Sequence, residues 1–177
     1  MAGQDSGGLA EDPVAELRRL HRAVDIMAKA VADQHGDRLR CHRGCAGCCA
    51  DRLTVFEVEA ERIRQDAPIW TQGQEAGPVG ACAFLDVDGG CRIYAARPYV
   101  CRTQGLPLRW IELEAAGTLS EFRDICPLNA EGPGLDTLQE EACWALGPVE
   151  QRLAALQGRF GEPTARVPLR GLFGEES

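Results

Sequence analysis

Basic charge is scarce in this 177-residue sequence: 19 lysines and arginines face 27 aspartates and glutamates, for a net charge of −8. Binding phosphate backbones needs a basic face, so the balance argues against a general nucleic-acid binder. Long apolar runs are also absent. None approaches the ~18–20 residues that cross a bilayer, so no membrane partner is expected. Met1 to Asp12 is polar and acidic, with no basic stretch followed by an apolar one. It does not read as a secretory leader, and the expected setting is cytoplasmic. No glycine-rich phosphate loop, dinucleotide fingerprint or Ser-His-Asp order occurs, which leaves nucleophilic and nucleotide chemistry without support. There is no internal repeat, low-complexity tract or clear linker. One domain over residues 12–173 is therefore expected, with 1–11 as a disordered tail.

Cysteine is what the sequence holds in surplus. Nine occur; this is about 5% of the chain, below the ~8–10% of short secreted disulfide scaffolds. A chain this long buries about 70% of its unfolded surface and needs no staple for its size alone. The count is odd, and in a reducing compartment clustered thiols point to metal binding or redox chemistry. Inert core thiols would be spread evenly. Instead Cys41, Cys45, Cys48 and Cys49 fall within nine residues.

The remaining pattern predicts an α+β fold, mostly helical with a small hairpin, organised by metal. Asp12-Pro13 reads as an N-cap with proline at the first helical position. Leu17, Leu20, Val24, Met27 and Val31 follow at helical spacing, closed near Gly36. Thr54-Val-Phe-Glu57 reads as a capping box opening a helix over 55–66, which Pro68 stops. Residues 69–80 read as a surface loop. Cys82–Leu85 and Cys91–Tyr94 flank a turn at Asp88-Gly89-Gly90, as in a hairpin. Pro98 can start one helical turn carrying Cys101 and Arg102. Two short strands are expected on either side of Ala115–Thr118. Helices are expected over 136–146 and 148–158, broken at Gly147-Pro148, before an extended C-terminal segment.

Cys45-x-x-Cys48 has the spacing at which two sulfurs grip one ion. A redox dithiol uses the same spacing, but no thioredoxin-like strand–helix–strand surrounds this one. On a helix, Cys41, Cys45, Cys48 and Cys49 would share one face. Gly44 and Gly47 equally favour a tight loop. A second set follows: Cys82, Cys91, Cys101 and Cys126. Eight thiolates can fill two four-sulfur ions, two iron–sulfur clusters, or one site with four in support. Cys143 stands apart, inside an expected helix, and reads as a buried free thiol. His42 can replace a thiolate, although the adjacent Cys41 competes. A four-thiolate divalent site carries about −2 of charge. Arg40, Arg43, Arg92, Arg97 and Arg102 lie within four residues of these cysteines, and their forked guanidinium groups suit hydrogen bonding to thiolates.

Cys41-x-x-x-Cys45-x-x-Cys48-Cys49, then Cys82-x-Phe84-Leu85, then Cys91-x-Ile93-Tyr94-x-x-Arg97-Pro98-x-x-Cys101-Arg102 resembles the YkgJ-type cysteine-cluster family. The resemblance covers about residues 37–130, and Cys126 in Ile125-Cys126-Pro127 is similar to the family's later cysteine. It implies chelation of zinc or iron by Cys41, Cys45, Cys48, Cys49, Cys82, Cys91, Cys101 and Cys126. Some members are flagellin lysine N-methylases, which implies an alternative: an iron–sulfur or metal-dependent enzyme of redox or methyl-transfer type. Tyr94, Arg97 and Arg102 would then line the cofactor site. Their other reading is hairpin packing and thiolate support. Metal ions are the expected partners.

Overall fold

The computed structural model describes residues 12–174, an α+β single domain. The expected tail over 1–11 lies outside the described residues, as do 175–177. Helix α1 runs Pro13–Ala32, with the Asp12 side chain accepting from Val14 N–H at 3.0 Å. Its buried stripe is Val14, Leu17, Leu20, His21, Val24, Ala28 and Val31. Met27, expected on that stripe, is exposed instead. The helix keeps a 3.6 period, and Ala28 occupies the row that Met27 just misses.

The expected capping box at Thr54 does not form. Thr54–Phe56 is strand β1, and α2 opens at Glu57 and closes at Asp66 without a side-chain cap at Phe56. β1 pairs antiparallel with β5, Arg166–Pro168, in the register Val55↔Val167. Thr54 Oγ1 accepts from Arg166 Nε at 3.1 Å. Partner strand and arginine together take the hydroxyl away from a local cap. Pro68 ends α2 and opens α3, Pro68–Thr71, within the segment expected as loop.

The hairpin over 82–94 is reduced to one bridge, Leu85↔Cys91. Helix α4, Tyr99–Arg102, follows Pro98 as expected. The two strands near Ala115–Thr118 are β2, Leu108–Leu113, and β3, Leu119–Asp124, paired antiparallel.

The helix expected over 136–146 is absent. Short 3-10 turns at Leu135–Thr137 and Glu140–Ala142 lead into strand β4, Trp144–Ala145, parallel to β2. Trp144 N–H donates to Pro107 C=O at 2.7 Å, and Leu146 N–H to Arg109 C=O at 2.8 Å. Trp144 Nε1 also reaches the Tyr99 hydroxyl at 2.8 Å. These tertiary bonds override a moderate local helix preference. Helix α5, Pro148–Phe160, starts after Gly147, whose φ of 114° marks the break. A 3-10 segment, Leu169–Phe173, ends the described chain.

Two apolar clusters result. The first joins α1 and α5 through Leu17, Leu20, Val24, Leu153 and Leu156, with Tyr99 and Trp144. The second joins Val55, Ile63, Phe84, Leu85, Ile93, Leu169 and Leu172. α2 lies between them, giving Val58 to the first and Ala60 and Ile63 to the second. The second cluster forms the floor beneath the cysteines.

Candidate metal centre

The segment 39–53 has no regular helix, so the first cluster is a loop. Cys45 N–H bonds His42 C=O at 3.0 Å, and Cys49 N–H bonds Ala46 C=O at 2.9 Å, two consecutive tight turns. Gly44 sits at φ 90°, a conformation that glycine adopts without strain. The turn at Gly89 packs against it, with an added Cβ at Gly89 meeting Gly44 Cα at 3.3 Å. Cys82 N–H bonds Cys49 C=O at 2.9 Å, joining the first cysteine set to the second.

Seven of the nine cysteines line one cavity of about 430 Å³: Cys41, Cys45, Cys48, Cys49, Cys82, Cys91 and Cys101. Cys126 is not in its lining, but it is close enough to raise the Cys41 pKa. All nine are free thiols, and Cys143 is buried away from the cavity. Phe84, Leu85, Ile93 and Leu169 supply an apolar floor, and Tyr94, Arg97 and Gln104 stand among its polar lining.

The thiols shape one another's charge. Burial, reinforced by Cys82, Cys91 and Cys49, pushes Cys101 up to about 12. Burial and the neighbours Cys48, Cys82 and Cys91 push Cys49 up to about 12 as well. Cys82 and Cys91 are also raised by burial, opposed by the backbone N–H groups of Phe84 and Ile93. Both N–H groups lie two residues beyond their cysteine and favour the charged sulfur. A soft cation suits such a group of sulfur donors, which bind metal as thiolates. The donor set therefore fits zinc or iron. Among the described residues, no three His, Cys, Asp or Glu side chains meet in single-ion geometry. The sulfurs ring a cavity rather than a point.

The arginines near the cysteines hydrogen-bond to carboxylates and carbonyls. Arg40 pairs with Glu131, Arg43 with Asp86, and Arg92 donates to Glu75 C=O. Arg97 and Arg102 both grip Asp25 of α1, at 3.2 and 2.5 Å. Arg97 also covers the Tyr94 ring at 4.1 Å and helps hold Cys91 down. Arg102 does not line the cavity; it is buried and also donates to Ala95 C=O at 3.2 Å. His42 lines the cavity, its Nδ1 2.6 Å from Arg43 C=O.

Arg102 belongs to a buried polar network beneath the site. Arg62 contacts His21 Nδ1 and donates to Ala95 C=O at 3.3 Å. Glu59 Oε1 accepts from Tyr99 N–H at 2.8 Å and lies 3.3 Å from His21 Nε2. That last contact is an ion-pair distance without hydrogen-bond alignment. Burial holds His21 below its ordinary range, against the pull of Glu59. The network pins α4, and hence Cys101, to α1 and α2.

Three features escaped sequence reasoning. Asn129 is fully buried, and its Nδ2 donates to Cys41 Sγ at 3.4 Å. Gly105 passes so close that a Cβ there would lie 2.6 Å from Cys41 Sγ. Arg170 donates to Asp51, Gly77, Pro78 and Ala81 at 2.7–3.0 Å, clamping the loops on either side of the cysteines. Their positions relative to the cysteines in sequence follow no metal-site spacing; Asn129 shares only the Cys126-Pro127 turn.

Residues 40–127 match the model of the CxxCxxCC family, described as a candidate zinc- or iron-chelating domain. Through these residues the chain belongs to this family. No curated protein and no solved structure matches the chain. The family span holds all eight cysteines of the ligand pool. α1, α5 and the C-terminal segment lie outside it. No helix among the described residues is long and apolar enough to cross a membrane.

Proposed function

We propose that this chain is a cytoplasmic metal-binding protein that holds zinc or iron through two groups of cysteines. The ligand pool is Cys41, Cys45, Cys48, Cys49, Cys82, Cys91, Cys101 and Cys126. The observation that carries this reading is the convergence of seven thiols, from segments far apart in sequence, on one cavity. Thiols buried for packing alone would spread through the core, as Cys143 does. A reducing compartment suits nine free thiols. Bound metal would tie the 41–49 loop to the bridge at 85–91 and to α4, coupling binding to folding.

A second reading is favoured by the size and lining of the cavity. At about 430 Å³ it has room beyond an ion, and Tyr94, Arg97 and Gln104 line it. An enzyme would use such a space for substrate, with the metal or an iron–sulfur cluster supplying Lewis-acid, redox or methyl-transfer chemistry. Arg97 then offers a fixed cation and Tyr94 an exposed ring.

Anaerobic purification, metal analysis and a visible spectrum test both readings. A colourless protein with bound zinc supports the binding role. A brown protein with iron and acid-labile sulfide supports the cluster reading. A folded, metal-free protein that takes up neither metal overturns both.

A further inference from the structure

We propose that Asn129 is a positioning residue for the metal centre: its side-chain amide holds Cys41 Sγ in place for a cation, in a recess that Gly105 leaves open. The inference rests on the metal-binding reading above and adds to it a residue outside the ligand pool.

Asn129 is the sequence's only asparagine, and it is fully buried. Each of its polar groups has a partner. Its backbone N–H bonds Cys126 C=O at 2.8 Å, closing the turn Pro127–Asn129. Its C=O accepts from Arg38 Nε at 2.9 Å. Oδ1 accepts from Arg40 N–H at 2.8 Å, a group that can only donate. That contact fixes the orientation of the amide, so Nδ2 has two protons left to give. One goes to Gly105 C=O at 2.8 Å and the other to Cys41 Sγ at 3.4 Å. The side chain thus grips the backbone of Arg40 and the sulfur of the next residue, at the entry to the first cysteine loop.

Gly105 shapes the same contact. A Cβ there would lie 2.6 Å from Cys41 Sγ and 3.3 Å from Asn129 Nδ2, so any side chain at 105 would displace the sulfur. Cys41 lines the cavity, whereas Asn129 and Gly105 do not. They meet the sulfur from behind and leave its cavity side to a cation. Cys41 is exposed as a residue, so the amide, more than packing, sets where its sulfur sits. A neutral thiol is a weak acceptor, but a metal-bound thiolate accepts a charge-assisted bond. The N–H to sulfur bond is therefore strongest with metal in place, and metal ligands depend on outer partners of this kind. Asn129 lies two residues past the end of the family match. An aspartate of the same shape has no N–H to give.

The test uses the full chain, stripped of metal under anaerobic conditions, with circular dichroism to verify the fold of each variant. In wild type labelled with nitrogen-15 asparagine, Asn129 supplies the only asparagine side-chain amide signal. Adding zinc should shift that signal and protect Cys41 from alkylation. An unmoved signal in zinc-loaded protein, or a Cys41 alkylated as fast as without zinc, overturns the proposal and needs no variant. These two measurements decide if a variant fails to fold. In chelator competition, Asn129→Asp should weaken zinc binding about 10–100-fold, the usual size of an outer-partner effect. Cys41→Ala should remove that dependence, so adding Asn129→Asp to it should weaken binding no further. Losses that simply add in the double variant overturn the positioning role, since groups acting through one another do not add. A folded Asn129→Asp that binds zinc as wild type does also overturns it. Wild type that takes up neither zinc nor cobalt(II) overturns the metal-binding reading itself.

Discussion

α1 and the cysteine loops encode their shapes by different means. α1 has a cap, a proline at its first turn and an apolar residue on every turn that faces α5. Each of those features acts within a few residues or along one stripe. The loops over 39–53 and 76–93 hold little regular structure: a three-residue 3-10 turn does not occur in them, and one bridge joins Leu85 to Cys91. Their order comes from contacts distant in sequence, such as Cys82 with Cys49 and Arg170 with Asp51 and Ala81. The first region can be stable on apolar burial alone. The second gathers thiols, from exposed Cys41 and Cys48 to buried Cys82, whose charged forms would be held by a cation, so its stability should depend on metal.

Stripping the metal should break this contrast most strongly. Structural zinc contributes an apparent ~10–16 kcal/mol in small metal-organised domains, so the loops should lose much of their order. Hydrogen exchange should accelerate across residues 41–105 while Leu17, Leu20 and Val24 stay protected. Uniform acceleration would show that the halves fold as one unit.

The converse change is Leu17→Ala. Removing a fully buried leucine from the α1–α5 interface should cost about 3 kcal/mol. The melting temperature should fall, and metal content per folded chain should stay the same. A parallel loss of metal would tie the centre to the helical core more tightly than its contacts suggest.

pH should separate the regions by sign. In the metal-free protein, Cys49 and Cys101 are raised from 9.0 to about 12. A raised pKa means that the folded state holds its proton longer, so their contribution is present below about pH 9. It is lost as pH rises toward about 12. His21, between α1 and α2, is lowered from 6.5. Its contribution is present above pH 6.5 and is lost as pH falls through its folded value. Denaturation of apo wild type, Cys101→Ser and His21→Gln across the range checks this: the cysteine variant should flatten the alkaline limb, the histidine variant the acid limb.

The smallest effect is expected at the C-terminal strap. The Phe173 ring lies 4.7 Å from that of Phe84 beneath the cavity. Phe173→Ala should cost about 1 kcal/mol from the aromatic pair and speed metal release severalfold in a chelator competition. Unchanged release would assign the strap to the fold alone.

Much of the helical half was legible because its signals are local. Asp12, Pro13 and the stripe from Leu17 to Val31 define α1 within one segment, and Gly147-Pro148 marks the start of α5. Local reading failed at Thr54 and over 136–146, where strand pairing with Arg166–Pro168 and with β2 outweighed a weak helix preference. The hydrogen-bond partners of the arginines were illegible for a related reason. Their nearness to cysteine in sequence said nothing of the carboxylates that folding brings closer, above all Asp25 for Arg97 and Arg102.

By itself, the sequence determined the donors: eight thiols in a fixed order, of the kind that suits a soft cation. The spacing of cysteines limits which donors are available, because ligand type sets metal preference before any geometry does. Only the tertiary structure brought those donors together. Seven face one cavity, and Asn129 donates to Cys41 Sγ across 88 residues of the chain. Such pairings depend on backbone hydrogen bonds and burial between distant loops, and no local pattern of residues encodes them.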